Sequence, residues 1–195
     1  MRLCHDRAGT MNPDLLQIQH VFDEAECLHS ESEVEAAIDR IAAQLNGRLK
    51  DRAPLLYCVM NGGLVFAGRL LPRLHFPLQV DYLHATRYRA ATSGGELIWK
   101  VHPEQSPKGR CVVILDDILD EGHTLAAIVN YCKEAGAEEV LTAALVDKQH
   151  DRKAYPGMRC DFTGLDVADR FLFGYGMDYK GFWRNAPGIY AVKGL

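Results

Sequence analysis

The segment 112–125, VVILDDILDEGHTL, holds the chain's most reactive arrangement: two adjacent carboxylates, Asp116 and Asp117, then Asp120-Glu121-Gly122-His123-Thr124. Five apolar residues from Cys111 to Leu115 precede the acids. Such a run suits a parallel strand covered on both faces. The acids then fall at its carboxyl end, the edge of an open α/β sheet where ligands bind. Adjacent side chains on a strand point to opposite faces, and a partly buried carboxylate needs a partner, which hydroxyls or a cation would supply. The following loop leads into a helix whose first N–H groups and dipole attract an anion. Gly122 allows a close turn there, and Thr124 adds a hydroxyl donor. A sugar phosphate satisfies both halves, with its hydroxyls on the acids and its phosphate on the loop. An acidic turn in which Thr124 caps the helix uses the same residues.

The surrounding pattern supplies elements to hold that loop. Residues 1–29 show no clear period beyond short elements around 15–22. From Ser32 the spacing of Ser32 and Glu35 fits a capping box, and Val34, Ile38, Ile41, Leu45 and Leu49 make one apolar helix stripe ending near 46–50. A strand over 55–60 stops at Asn61-Gly62-Gly63, and Leu64, Ala67, Gly68 and Leu71 suit a short helix. A strand over 78–88 and a second apolar stretch over 97–101 flank RAATSGGE, a small, polar hairpin loop. A helix over 124–135 follows the acidic loop, ended by Gly136, and a buried strand covers 140–146. Shorter runs at 170–175 and 189–192 close the chain. Strands alternating with helices predict an α/β domain with a mostly parallel central sheet.

Composition narrows the function. The chain has 195 residues, 48% of them hydrophobic, which predicts one domain. Twenty-two Lys and Arg against 26 Asp and Glu give a net charge of −4, so a broad basic surface for nucleic acid is not expected. The six cysteines form no CxxC pair and no Cys/His cluster, which argues against a zinc ribbon and for a reduced, cytoplasmic chain. No signal peptide or membrane span is expected, and no GxGxxG marks a dinucleotide site.

Five segments in order, CVMNGGLVFAGRL (58–70), VDYLHATRY (80–88), the acidic loop, ALVDKQ (144–149) and DFTGLDVADRFLFGYGMDYKGFWRN (161–185), closely resemble the type I phosphoribosyltransferases, and among them the 6-oxopurine members. The resemblance covers roughly 32–195. It implies the type I phosphoribosyltransferase fold in a single domain over 1–195, with a core at 32–160 and a small hood from about 161 to 185 to which residues 1–30 are a candidate addition. It implies purine salvage: magnesium-dependent transfer of 5-phosphoribosyl from 5-phosphoribosyl-1-pyrophosphate (PRPP) to N9 of hypoxanthine or guanine, giving IMP or GMP and pyrophosphate. A homodimer or homotetramer is implied too. The rival within this fold is a regulator that binds a nucleotide or RNA.

By resemblance, Asp116 and Asp117 hold the ribose hydroxyls, directly or through Mg2+, and Asp120, Glu121, Gly122, His123 and Thr124 cradle the 5-phosphate. Asp120 is the implied general acid/base toward purine N7. Lys148 would donate to the 6-oxo group, finding no acceptor in the amino group of adenine. Phe171 would stack on the purine, with the Leu172 backbone at its edge. Asp178 would hold, through water, a magnesium bound to pyrophosphate, and Arg184 would grip pyrophosphate. Asn61 and Gly62 match the pyrophosphate loop, where the expected non-proline cis bond is Asn61-Gly62. Tyr88 is the implied lid tyrosine, in a loop over 87–96. Four positions depart from the family pattern: Glu121 replaces a small hydroxyl residue, His123 a Lys or Arg, Arg87 a serine and Asn61 a lysine.

Overall fold

The computed structural model describes residues 13–87 and 97–194. Helix α1 (Pro13–Glu24) is followed by strand β1 (Glu26–Ser30), helix α2 (Glu31–Leu49), β2 (Leu55–Val59), α3 (Gly63–Leu70) and β3 (Gln79–Arg87). Then come β4 (Leu97–Val101), β5 (Cys111–Leu119), α4 (His123–Glu134), β6 (Glu139–Gln149), β7 (Phe162–Ala168), β8 (Leu172–Phe173) and β9 (Gly188–Ala191). The main sheet runs β4-β3-β2-β5-β6-β7, parallel except for edge strand β4. This is the mostly parallel α/β core that the residue pattern predicts.

Strand side chains alternate between two cores. Leu56, Cys58, Val113, Leu115 and Leu145 pack with α2 and α3, while Leu55, Tyr57, Val112, Ile114 and Ala144 pack with Leu125, Ile128 and Cys132 of α4. Helix α2 buries Val34, Ile38, Ile41, Leu45 and Leu49. Those five side chains together contribute about 10 kcal/mol before chain entropy is subtracted. Its capping box is Ser30 with Glu33, not Ser32 with Glu35: the Ser30 hydroxyl accepts from the Glu33 N–H, and the Ser30 N–H donates to Glu33 at 2.8 Å. Both pairs have the required spacing, but the chain is extended at Ser30 and already helical at Ser32. Glu35 is thereby free to bind Arg69 and Arg73 of the neighbouring segment.

A smaller sheet, β1-β9-β8, joins the two ends of the chain. Phe22 of α1 stacks on Trp183 with ring centroids 4.6 Å apart, and the Trp183 indole donates to the Ile18 carbonyl. Residues 162–168, assigned from the sequence to the hood segment, lie in the main sheet as its edge strand β7. Helix α1, β1 and β7 are the elements that the periodicity did not resolve.

The chain's path determines where a site can form. From β2 the connection through α3 leads outward to β3, whereas from β5 the connection through α4 leads to β6 on the other side. The order therefore reverses between β2 and β5, the position at which open α/β sheets leave a crevice.

Candidate active site

Strand β5 outruns β2. Its pairing with β2 ends at Leu115, but its pairing with β6 continues through Asp116, Ile118 and Leu119. The expected strand end at Leu115 is thus corrected to Leu119, because β6 holds the second edge of β5 after β2 has turned away. The β2 edge of residues 116–119 opens into the crevice.

Beyond β2 the chain turns sharply, through a cis bond at Met60-Asn61 and not at Asn61-Gly62. Gly62 and Gly63 then bring their backbone against β5. A Cβ on Gly62 would sit 2.2 Å from Asp117 Oδ2, and one on Gly63 2.8 Å from the Leu115 carbonyl. On the far side Gly176, at φ +111°, comes so near that a Cβ would lie 2.1 Å from the Gly62 carbonyl oxygen. Only the absence of side chains permits this three-way approach.

Asp117 is buried and Asp116 half-buried. Asp116 Oδ1 accepts from the Asp117 N–H at 3.0 Å, and Asp117 Oδ1 from the Ile118 N–H at 2.9 Å. Neither forms a salt bridge among the described residues. Burial, then the Asp117 charge, pushes the Asp116 carboxyl well above the ordinary carboxylate range. Burial raises Asp117 also, against the lowering effect of its hydrogen bonds and of Arg184. The pair is an unneutralised acid site built of hard oxygen donors, which suits a divalent cation or sugar hydroxyls.

The loop that follows presents its amides freely. Gly122, at φ +81°, is the N-cap of α4, and no side chain caps the helix. Thr124 therefore stands in the first turn and is not the cap, which removes the simple capping reading. A Cβ on Gly122 would also strike Met158 Sδ at 2.4 Å. Glu121 is exposed and leans toward His123, Oε2 to Nε2 3.9 Å, so the departing carboxylate faces an imidazole and solvent.

Asp120 sits at the centre of a polar knot. The register placing Leu119 beside Asp147 brings Lys148 alongside Asp120. Lys148 Nζ donates to Asp120 Oδ2 at 2.8 Å, and His150 Nε2 lies 2.8 Å from Oδ1. Burial raises the Asp120 carboxyl, but the hydrogen bonds and charges of Lys148 and His150 outweigh it, and the net direction is down. Lys153 closes the loop from below, with Nζ 2.8 Å from the carbonyls of Leu119 and Asp120 and from Asp147 Oδ1. Neither His150 nor Lys153 stands out in the sequence. The signal available is the two-residue spacing of His150 from Lys148, although β6 itself ends at Gln149.

A pocket of ≈ 230 Å³ joins these parts, lined by Asp117, Ile118, Asp120, Lys148, Phe171, Leu172, Met177 and Asp178. Six of the predicted site residues thus share one cavity. Ile118 and Met177 are additions that the sequence did not mark. Phe171 is 44% exposed and meets Tyr179 edge-on at 5.7 Å, while Leu172 is buried in β8. Asp178 Oδ1 pairs with Arg184 Nη2 at 2.5 Å, and Oδ2 accepts from the Gly181 N–H at 2.6 Å. Asn61, Gly62, Asp116, Glu121, Gly122, His123, Thr124 and Arg184 do not line this pocket. Tyr88 and the loop around it lie outside the described residues.

A family profile described as the phosphoribosyl transferase domain matches residues 24–180. The chain belongs to that family. It is 33% identical over 167 residues to the hypoxanthine-guanine phosphoribosyltransferase of Bacillus subtilis, covering 85% of this chain and 92% of that one. It is 30% identical over 166 residues to the hypoxanthine-guanine-xanthine phosphoribosyltransferase of Tritrichomonas foetus, covering 85% and 90%. A solved hypoxanthine-guanine-xanthine phosphoribosyltransferase superposes with a TM-score of 0.79 at 28% identity, covering 88% of this chain and 99% of the other. A hypoxanthine phosphoribosyltransferase from Staphylococcus aureus, 24% identical, shares the fold with a TM-score of 0.83, covering 90% and 95%. The phosphoribosyltransferase fold therefore extends over nearly the whole chain.

Proposed function

We propose that this phosphoribosyltransferase transfers the 5-phosphoribosyl group of PRPP to N9 of hypoxanthine, guanine or both, releasing pyrophosphate and IMP or GMP. The observation that supports this reading best is the joint placement of Asp120, Lys148 and Phe171 around one pocket beside the buried Asp116-Asp117 pair. The base lies against Phe171, whose exposed ring offers a stacking face. Lys148, with donors only, bonds the 6-oxo oxygen and discriminates against adenine. The uncapped first turn of α4 and the Gly122 loop bind the 5-phosphate.

Bond formation from N9 to ribose C1 accompanies cleavage of C1 from the pyrophosphate oxygen. The electron pair leaves with pyrophosphate, and the proton on N7 passes to Asp120, whose lowered pKa keeps it an ionised acceptor. Arg184, held by Asp178 and the Gly176 carbonyl, and the Asn61-Gly62 backbone would stabilise the departing charge. Asp116, Asp117 and Asp178 suit Mg2+ by their oxygen donors and by the uncompensated charge of the buried pair. Held by these residues, Mg2+ would supply positive charge against the departing pyrophosphate and a Lewis-acid site for the ribose hydroxyl oxygens.

The five described cysteines, Cys27, Cys58, Cys111, Cys132 and Cys160, are free thiols, in keeping with a cytoplasmic enzyme. No described helix is long and apolar enough to cross a membrane. Assembly as a homodimer or homotetramer belongs to the same proposal and is read by sedimentation.

The test offers the purified protein PRPP, Mg2+ and hypoxanthine, guanine, xanthine or adenine in turn. Formation of IMP or GMP without AMP is the expected result, with turnover falling about 10²- to 10⁴-fold in Asp120→Asn. Nucleotide binding without turnover on any base would overturn the reading in favour of a regulator.

A further inference from the structure

The Asp120 carboxylate has two donors, and only one of them is free to serve it throughout the reaction. Lys148 faces both Asp120 and the base pocket, so on the function proposed above its ammonium is shared with the substrate. His150 is different. Its side chain is 4% exposed and does not line the pocket. Its Nδ1 accepts the backbone N–H of Arg152 at 3.0 Å. A ring nitrogen that accepts carries no proton, so the proton of the neutral imidazole sits on Nε2. That proton points at Asp120 Oδ1, 2.8 Å away. The charged groups about the ring are Asp120, Lys148 and the Arg152–Asp169 pair, which is bonded in a fork at 2.8 and 3.1 Å; an Asp169 carboxylate oxygen lies within 4.8 Å of both a His150 ring nitrogen and an Asp120 oxygen.

We propose that His150 is a positioning residue for Asp120: a tautomer-locked donor that holds one carboxylate oxygen in place so that the other stays aimed at the base while Lys148 turns to the 6-oxo group. The inference rests on the reading of Asp120 as the base. It explains how Lys148 can serve two partners. A carboxylate held by Lys148 alone would lose its orientation whenever the ammonium moved to substrate, and misplacement of an acceptor by about 1 Å costs on the order of 100-fold in rate. His150 holds Asp120 in plane through a hydrogen bond that substrate does not compete for. The lock lies in the main chain: the Arg152 amide fixes the tautomer, so the donor is ready before substrate arrives.

Steady-state kinetics of wild type, His150→Phe, His150→Gln and Asp120→Asn, across pH, test this. The Gln amide can place an N–H where Nε2 stands, whereas Phe keeps the ring and loses the donor. Expected for His150→Phe is a kcat about 10- to 100-fold lower, the range for loss of a hydrogen bond to a charged group, with the KM for PRPP within about twofold. The acid limb of its kcat/KM profile moves to higher pH, because Asp120 has lost one of the groups that lower its pKa. His150→Gln recovers most of kcat and the wild-type acid limb. In an Asp120→Asn background, His150→Phe costs little more. Wild-type kcat in folded His150→Phe, or no recovery by Gln, overturns the role of His150 and leaves that of Asp120 standing. Wild-type turnover in Asp120→Asn overturns both. If His150→Phe does not fold, His150→Ala replaces it, with the same loss and the same recovery by Gln expected.

Discussion

Lys153→Met is a demanding test of how the Asp120 loop is held. The Lys153 ammonium has three protons and three acceptors at 2.8 Å: the Leu119 and Asp120 carbonyls and Asp147 Oδ1. Its side chain is 11% exposed and that of Asp147 is 1% exposed. Asp147 has no second strong partner, since its Oδ2 makes no hydrogen bond and Arg159 Nε stands 3.5 Å away. Met replaces the stem of Lys153 and removes the charge, so the volume is nearly kept while Asp147 and two carbonyls lose their donor. Breaking a buried ion pair from one side costs about 3–5 kcal/mol. In a domain of this size that is a fall of about 6–20 °C in Tm, at about 2–4 °C for each kcal/mol. Asp147→Leu combined with Lys153→Met removes the orphaned charge as well and should recover at least half of the loss, because an apolar pair can replace a buried ionic one. Urea unfolding of the four proteins measures each corner of the cycle. A single-variant loss below about 1 kcal/mol, or a double variant no better than Lys153→Met, would refute the assignment of Lys153 as a buried brace, since it would mean that water or Arg159 already satisfies Asp147.

Two glycine substitutions should separate activity from stability. Gly62 has ordinary helical angles, so Gly62→Ala costs less stability than Gly176→Ala but pushes the buried Asp117 carboxylate aside and cuts kcat/KM for PRPP at least about tenfold; Gly176→Ala meets both a positive φ and a carbonyl oxygen and lowers stability by about 2 kcal/mol or more, each read by kinetics and thermal melting together. Lys148→Ala should raise KM for hypoxanthine and guanine about 10-fold or more while leaving the KM for PRPP within twofold, and equal kinetics before and after would remove Lys148 from base recognition. The lowered pKa of Asp120 carries a pH signature. A depressed folded-state pKa contributes stability that is complete above the unfolded value of about 4 and is lost as pH falls through the folded one. Asp120→Asn should therefore be less stable than wild type at pH 7, with the gap closing as pH is lowered below about 4; a gap that stays constant in urea unfolding across that range would show that no such linkage exists.

The strength of each sequence signal follows from what holds each element. Strand β5 and the α2 stripe are legible because burial on both faces, or along one face, leaves long apolar patterns. Strand β1, ECLHS, has no buried residue, and β7, FTGLDVA, has only Val167 buried. Both exist through pairing with strands distant in sequence, and pairing leaves no composition behind. The misplaced end of β5 has the same origin: Asp116 and Asp117 are poor strand residues, and their extended conformation is imposed by β6. The capping box was shifted by two because the sequence offers Ser twice at the same spacing from Glu, and only the entry of β1 into the small sheet selects Ser30. For the site, the carboxylates and the glycine loop were legible because their chemistry is concentrated in one segment. His150 and Lys153 were not, since a buried cation or imidazole is recognised only by the acceptors around it, and those lie some thirty residues away, at Leu119 and Asp120.

The four residues by which β5 exceeds β2 explain why the acids can be retained despite their cost. Two neighbouring carboxylates raised by burial oppose folding, and a sequence selected for stability alone would place apolar side chains there. Backbone order tolerates them because β6 continues to pair with that stretch on one edge while Gly62 and Gly176 close on the other without side chains. Downstream the logic reverses: Asp120, three residues on, is held by Lys148 and His150, and its pKa goes down. One strand end thus carries a carboxylate pair that a cation or ligand must complete and a single carboxylate that the protein completes itself. On the function proposed above, the first would meet a cation or the neutral ribose hydroxyls, and the second would accept a proton once the sugar is in place.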